Sequence, residues 1–315
     1  MRRLTFISVI FSFVIVACGG NDDNTTNITD EQRAEWSKIS STQINTNRFV
    51  FDALTAGPES GTPVILLHGF PTTSDQYRDI LAALGSEGYY AIAPDQRGYS
   101  PGARPETQLE YRLEYLAQDI MDIADSLSLD TFHLVGHDYG ALVVWAVGAL
   151  HPDRLLSITP ISTPHPQAFI QAFFNPESDQ SDRSSYGLLF AIEGYETEML
   201  ANDNEILLSY YGDADLELID LFLDKMANED ALGAALNWYQ EADWEWNLAL
   251  PAITVPTLYI WSDNDLYLGR HAAEATGNFV QGEYTFETIE GASHSVPETR
   301  PEEITALLIN HFGGS

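Results

Sequence analysis

The sequence predicts an α/β fold in which a mostly parallel sheet is covered by helices on both faces. Three observations lead to this prediction. Uninterrupted apolar runs, such as residues 64–67, are typical of parallel strands buried on both sides. These runs alternate along the chain with segments of helical spacing. The alternation stops over residues 165–250 and resumes after Pro251, which indicates a helical insertion.

The composition describes an acidic globular protein and excludes one class of function. Of the 315 residues, 47 are Asp or Glu and 14 are Lys or Arg, so the formal net charge is −33. A surface with so few cations cannot displace counterions from phosphates, which excludes a nucleic-acid-binding face. It also disfavours small anionic substrates. The apolar content of 44% argues against disorder, and a single cysteine excludes an internal disulfide.

The N-terminus is predicted to be an export signal followed by a tether. Arg2 and Arg3 precede a short apolar run, which is too short to span a bilayer comfortably. The sequence Ile-Val-Ala-Cys that ends at Cys18 resembles a bacterial lipobox. The resemblance implies a lipoprotein signal peptide over residues 1–17 and a lipid anchor on Cys18, which would hold the protein at a membrane. The alternative is an ordinary secretory signal with an incidental cysteine. Residues 18–41 are polar, have no apolar period and are expected to be a tether.

The remaining chain divides into a core, residues 42–164 and 251–315, and a helical cap, residues 165–250. Strands are predicted at residues 49–55, 64–67, 90–93, 132–135, 155–159, 257–260 and 284–289. Helices of the core are predicted at residues 74–84, 109–127, 139–150 and 301–311. The cap carries no clear strand pattern, and it is rich in aromatic residues.

A strand-to-helix turn carries the first chemical signal. Gly136 and Gly140 stand two residues on either side of Asp138 in the sequence Gly-His-Asp-Tyr-Gly. This is the spacing of a nucleophile elbow with Asp in the place of Ser. The glycines suit a strained turn whose neighbours lie close together. We expect the turn to present Asp138 at the carboxyl end of the sheet, where a ligand crevice forms.

Further motifs follow other predicted strands in a fixed order. These are His-Gly-Phe-Pro at residues 68–71, Asp-Gln-Arg-Gly-Tyr-Ser at 95–100, Asp265 after the strand that ends at Trp261, and His294 after the last strand. With the elbow, they resemble the α/β-hydrolase fold family over residues 42–315. The Asp at the elbow narrows the resemblance to its epoxide hydrolase and haloalkane dehalogenase branch. The resemblance implies a helical cap inserted after the sixth strand of the sheet.

The same resemblance assigns roles to these residues. Asp138 is the expected nucleophile and His294 the base, with Asp265 as the acid that orients it and Asp263 as the rival acid. The backbone N–H groups of Phe70 and Tyr139 are expected to form an oxyanion hole. A carboxylate is ionised at neutral pH and can displace a leaving group at saturated carbon, which leaves an alkyl ester. The histidine then activates water to cleave that ester.

The leaving group separates the two members of this branch. An opening epoxide needs an acidic donor, whereas a departing halide needs N–H donors. In the epoxide hydrolases, two cap tyrosines occur in Tyr-x-Leu-x-Phe and Asn-Trp-Tyr settings. Residues 186–190 and 237–239 are similar, which implies that Tyr186 and Tyr239 are the donors. Pro71 and Trp238 are expected to line the substrate pocket. Tyr139 departs from the Trp that usually follows the nucleophile, and Ser295 from the Trp that often follows the histidine.

The sequence therefore predicts a hydrolase that converts a neutral, largely apolar epoxide to a vicinal diol. It contains no metal-ligand cluster, so no metal and no cofactor are expected. A haloalkane dehalogenase with the same three catalytic residues is the first alternative, and a catalytically inactive, surface-anchored binding protein is the second. The expected location is the cell envelope, on the periplasmic face of a membrane. Gly19 and Gly20 after Cys18 favour the outer membrane, by resemblance to sorting rules.

Overall fold

The computed structural model describes residues 28–313, and its centre is an eight-stranded sheet. The strands are β1 (Ser40–Asn45), β2 (Val50–Ala56), β3 (Pro63–Leu67), β4 (Tyr90–Pro94), β5 (Phe132–His137), β6 (Leu155–Ile161), β7 (Thr257–Ser262) and β8 (Tyr284–Ile289). Their order in the sheet is β1-β2-β4-β3-β5-β6-β7-β8. Strand β2 is antiparallel to both of its neighbours, and β3 to β8 run parallel. The predicted mostly parallel sheet is confirmed.

Fifteen α-helices accompany this sheet in the described part of the chain. They are α1 (Asp30–Trp36), α2 (Arg78–Ser86), α3 (Leu113–Ser126), α4 (Tyr139–Leu150), α5 (Pro166–Phe173), α6 (Gln180–Arg183), α7 (Gly187–Phe190), α8 (Tyr195–Met199), α9 (Ala201–Ser209), α10 (Leu216–Met226), α11 (Glu229–Gln240), α12 (Trp244–Leu248), α13 (Arg270–Ala275), α14 (Val296–Thr299) and α15 (Pro301–Gly313). Between residues 28 and 313, none of the helices is long and apolar enough to cross a membrane.

Alternate residues of the central strands pack into two separate hydrophobic cores, one on each face of the sheet. Ile65 and Leu67 of β3 pack in the cluster that contains α3 and α4. Val64 and Leu66 of the same strand pack in the cluster that contains α2 and α15. Successive side chains of a strand point to opposite faces, so a strand covered on both sides must be apolar throughout. This is why β3 appears in the sequence as a continuous apolar run.

The predicted tether is wrong for its last part, because residues 28–41 belong to the folded domain. Helix α1 lies there, with Ile28 and Trp36 buried against the core. The indole N–H of Trp36 donates to Asp79 Oδ1 at 2.6 Å. Strand β1 then adds to the edge of the sheet and buries only Ile44. Elements with so few apolar anchors leave no periodic signal. Residues 1–27, with the predicted signal peptide and Cys18, lie outside the described residues.

Two predicted core helices begin with an additional turn. The segment predicted as one helix over 109–127 is a 3-10 turn at Gln108–Tyr111 followed by α3. The segment predicted over 74–84 is a 3-10 turn at Ser74–Tyr77 followed by α2. The turn at Ser74–Tyr77 is buried in full.

The topology gathers the predicted motifs at one edge of the sheet. Strands β3 and β5 are neighbours, and the chain leaves β3 towards β4 on one side and β5 towards β6 on the other. Such a reversal opens a crevice beyond the carboxyl ends of the strands. Residues 68–71 follow β3 and Asp138 follows β5, while Asp265 and His294 follow β7 and β8. Helices α5 to α12 are inserted between β6 and β7, and they form the cap.

Candidate active site

Asp138 occupies a sharp turn between β5 and α4. Its φ of +51° lies in the left-handed region, which costs energy for a residue with a side chain. The turn is possible because Gly136 and Gly140, two residues to either side of Asp138, have no side chains. A Cβ on Gly136 would lie 2.5 Å from the carbonyl oxygen of Gly140, and one on Gly140 would lie 2.3 Å from that of Leu67. The strain fixes the Asp138 carboxylate at the carboxyl end of β5.

The turn after β3 lies directly against this carboxylate. The backbone N–H of Phe70 donates to Asp138 Oδ1 at 2.9 Å. A Cβ on Gly69 would lie 2.5 Å from Asp138 Cβ, so only glycine permits this approach. Tyr139 is the first residue of α4, where backbone N–H groups have no partner within the helix. The two N–H groups predicted to form an oxyanion hole therefore lie on the two segments that meet at Asp138.

His294 lies between two carboxylates. Its Nδ1 is 2.7 Å from Asp265 Oδ2, and its Nε2 is 3.5 Å from Asp138 Oδ2. The other oxygen of Asp265 accepts the backbone N–H groups of Tyr267 and Leu268, at 2.8 and 3.0 Å. Asp263, the rival acid, instead accepts the backbone N–H of Gly291. The structure thus places Asp265, and not Asp263, against the imidazole.

The imidazole of His294 and the carboxylate of Asp138 favour each other's charged forms. Burial acts to lower the pKa of His294, but Asp265 and Asp138 outweigh it and raise that pKa to about 10. Burial likewise acts to raise the pKa of Asp138, but the hydrogen bond and charge of His294 outweigh it and lower the pKa. In the free protein, an imidazolium therefore lies between two carboxylates. The high pKa of His294 therefore depends in part on the negative charge of Asp138.

The two predicted cap tyrosines lie in a group of aromatic rings that includes Phe70 and Tyr139, the residues beside the Asp138 carboxylate. Tyr239 packs edge-on against Phe70 and Tyr139, with ring centroids 5.3 Å apart in both pairs. The ring of Tyr186 lies 6.4 Å from that of Tyr239. Burial, and after it the charge of Asp138, raises the pKa of both hydroxyls well above the usual value. Both hydroxyls are therefore protonated. Among residues 28–313, neither hydroxyl donates a hydrogen bond to another protein group.

The predicted pocket residues differ in their surroundings. Pro71 is buried directly after Phe70. Trp238 is also wholly buried, with its ring 4.8 Å from that of Tyr139 and 4.9 Å from that of Tyr99. The hydroxyl of Tyr139 donates to the backbone carbonyl of Trp238. Trp238 thus packs the junction between the cap and the core, and its assignment to the pocket stays a prediction.

Several residues of this site were not predicted from the sequence. The ring of Tyr267 packs edge-on against His294 at 4.9 Å, and its position two residues after Asp265 is the only signal that could have pointed to it. Glu298 lies near His294, with Oε2 buried and without a hydrogen-bond partner in the described chain. Burial raises the pKa of Glu298 to about 8. Gln76 and His137 also belong to the site, since Gln76 contacts Gly69 and His137 contacts the backbone of His294.

The described residues offer no group of three or more His, Cys, Asp or Glu side chains arranged to hold a metal ion. The candidate reacting groups of the site are Asp138, His294 and the hydroxyls of Tyr186 and Tyr239. They combine a carboxylate, an imidazole beside it, and two neutral hydroxyl donors that feel the charge of the carboxylate.

Comparison with known proteins defines the class of this protein. The family model of the α/β hydrolase fold matches residues 62–301, which is more than half of the chain. The chain therefore belongs to the α/β-hydrolase fold family of enzymes. Within that family it is similar to epoxide hydrolase A of Mycobacterium tuberculosis, with 30% identity over 86% of this chain and 96% of that protein.

Solved structures agree with this similarity. An epoxide hydrolase from metagenomes of hot environments has a TM-score of 0.77 at 25% identity, over 88% of this chain and 99% of that chain. The crystal structure of epoxide hydrolase A from Mycobacterium thermoresistibile has a TM-score of 0.67 at 26% identity, over 88% of this chain and 98% of that chain. The protein is thus a hydrolase similar to epoxide hydrolases.

Proposed function

We propose that this enzyme hydrolyses an epoxide to a vicinal diol through an alkyl ester on Asp138. One observation carries the proposal. The Asp138 carboxylate contacts both the Phe70 N–H and the His294 imidazole, and its charge acts on two tyrosine hydroxyls that have no hydrogen-bond partner in the described chain. The similarity to named epoxide hydrolases supports it.

In the first step, Asp138 Oδ2 attacks a ring carbon of the epoxide and the carbon–oxygen bond breaks. The epoxide oxygen takes a proton from Tyr239 or Tyr186, which leaves an ester, a hydroxyl and a tyrosinate. Because the ester is neutral, His294 loses one of the two carboxylate charges that raise its pKa. Its proton then returns to the tyrosinate, and a neutral imidazole remains beside the ester.

In the second step, His294 accepts a proton from water, and the resulting hydroxide attacks the carboxyl carbon of the ester. The N–H groups of Phe70 and Tyr139 stabilise the negative oxygen of the tetrahedral state. Collapse breaks the bond to the diol oxygen, which takes the proton from His294. The carboxylic acid of Asp138 then gives its own proton to His294, so the resting ion pair is restored.

The donors in the site favour an epoxide over a halide. A departing halide needs a free N–H donor, but the indole N–H of Trp238 already donates to the carbonyl of Arg97 at 2.9 Å. The free hydroxyl donors include those of Tyr186 and Tyr239, which suit an alkoxide. The aromatic walls formed by Phe70, Phe190 and these tyrosines favour a neutral, largely apolar substrate.

The test supplies styrene oxide and 1-bromobutane in parallel to the full chain and to its His294→Gln variant. We expect diol from the native enzyme, no bromide release, and a mass adduct of styrene oxide on Asp138 in the variant. Tyr239→Phe and Tyr186→Phe should slow adduct formation on the His294→Gln background. Bromide release without diol would establish the dehalogenase instead. Neither product and no adduct would establish an inactive binding protein.

We propose, from the sequence alone, that Cys18 carries a lipid anchor at the cell envelope. The lipobox-like Ile-Val-Ala-Cys and the position of the only cysteine support this. The full chain produced in a bacterium should sediment with outer membranes and carry a lipid mass, whereas Cys18→Ser should not. Release of the native chain in soluble form, cleaved without lipid, would contradict the anchor.

A further inference from the structure

A lysine of the cap reaches across to the buried turn Ser74–Tyr77. Lys225, in α10, places its Nζ 2.7 Å from Asp75 Oδ2, 2.8 Å from Asp95 Oδ2 and 3.2 Å from Ser74 Oγ. Asp75 and Asp95 are buried, with side chains 2% and 4% exposed. One ammonium group thus joins the cap to two buried carboxylates of the core.

The same turn makes contact with both halves of the candidate active site through Gln76. Its Oε1 accepts the backbone N–H of Gly69 at 3.2 Å, directly before the Phe70 N–H that binds Asp138. Its Nε2 lies 2.7 Å from Nδ1 of His137, whose Nε2 lies 2.9 Å from the carbonyl oxygen of His294. Burial and the charge of His294 lower the pKa of His137 to about 3, so that ring is neutral.

The contacts of Gln76 and His137 determine the tautomer of the His137 ring and the direction of both hydrogen bonds. The Gln76 amide donates to His137 Nδ1, so the ring proton is on Nε2 and is donated to the His294 carbonyl. The chain of contacts therefore runs from Lys225 through the turn to Gly69 on one side and to the His294 backbone on the other. Each link is a hydrogen bond or ion pair of 3.2 Å or less.

The placement of this lysine is unusual in so acidic a chain. Lysine occurs only twice in the 315 residues, at positions 38 and 225. Lys38 pairs with Glu35 on the surface, where both side chains are largely exposed. The cap, residues 165–250, holds 18 acidic residues and only two basic ones, Arg183 and Lys225. Both of these reach the core, since Arg183 donates to the backbone carbonyl of Asp265.

We propose that Lys225 is a positioning residue that couples the seating of the cap to the geometry of ester hydrolysis. Through the turn Ser74–Tyr77 it holds the Phe70 N–H and the His294 loop in place, and both act when water attacks the ester. This rests on the proposed ester mechanism. Loss of the ammonium should therefore slow the hydrolytic step more than the formation of the ester.

The experiment compares Lys225→Met, Lys225→Arg and Lys38→Met in the full chain, with styrene oxide as the probe. Rapid quenching and mass spectrometry give the fraction of Asp138 that carries the ester at steady state, alongside kcat and KM. For Lys225→Met we expect hydrolysis to slow by about tenfold, since small displacements of catalytic groups have effects of that size or larger. The esterified fraction should then rise and KM should fall. Lys225→Arg should restore most of the rate, and Lys38→Met should behave as the native enzyme.

A charge-balanced variant covers the case in which Lys225→Met does not fold. Removing a cation from between two buried carboxylates is costly, so Lys225→Met combined with Asp95→Asn keeps the local charge nearer to balance. This double variant should again accumulate ester. If either folded variant has the native esterified fraction, with or without a lower Tm, Lys225 acts only in stability and the proposal is wrong. Failure of the native enzyme to form any ester or diol would instead refute the proposed function.

Discussion

Replacing Asp138 by Asn removes the same charge that ester formation removes, and this allows the second half of the mechanism to be tested without substrate. His294 Nε2 lies 3.5 Å from Asp138 Oδ2, and its pKa is raised to about 10. At this separation two unit charges attract by about 5 kcal/mol at an effective dielectric constant of about 20. That energy corresponds to a change of roughly 3.5 in pKa. We expect the pKa of His294 in Asp138→Asn to be roughly 6.5, which suits a base at neutral pH.

The assay is an NMR titration of the imidazole resonances, with His294→Gln as the reference that assigns the signal. Asp263→Asn is the matched control. It removes an equal charge two residues from Asp265, at a carboxylate that bonds to Gly291 and not to the imidazole, and should leave the pKa of His294 at its native value. If Asp138→Asn leaves that pKa within about 1 of native, the imidazole stays protonated beside the ester. It could not then accept a proton from water, and the proposed second step would be wrong.

Three further predictions concern the site and the fold. Gly69→Ala forces a methyl group to within 2.5 Å of Asp138 Cβ and should lower kcat/KM by about 100-fold, whereas Gly187→Ala, which meets nothing within 4 Å, should have no effect on it. The pKa of Glu298 rises from 4.5 to about 8 on folding, so the native protein loses stability as the pH rises through that interval. Glu298→Gln should therefore gain Tm over the native protein between those pH values, and an equal difference at all pH would contradict this. Trp36→Ala should lower the free energy of unfolding by about 3 kcal/mol in urea, and no change would mean that α1 is a tether after all.

The sequence predicts the central sheet well because buried parallel strands are apolar on both faces. It also predicts the elbow, since the glycines around Asp138 are required by local sterics that the spacing alone reveals. The edge of the fold escapes such patterns. The buried apolar anchors are only Ile28 and Trp36 around α1 and Ile44 in β1, so each segment resembles a polar linker.

Other features depend on partners far apart in the chain. The choice of Asp265 over Asp263 is made by the loop geometry after β7, where the two carboxylates point to different groups. Gln76 and His137 are 61 positions apart, and nothing in either segment predicts that an amide will orient that ring. Such contacts follow from the packing of α10, β5 and the turn Ser74–Tyr77, which exists only after folding.

The net charge of −33 has a consequence for how the cap is held. A cap with 18 acidic residues faces an acidic core, so the long-range field across their junction is repulsive. Exposed ion pairs at this junction, such as that of Arg33 with Glu217, contribute little because water and salt screen them. Lys225 differs because both of its carboxylates are buried. Lys225 therefore opposes the repulsion through carboxylates that are shielded from water, and it contacts the turn Ser74–Tyr77 beside the candidate active site.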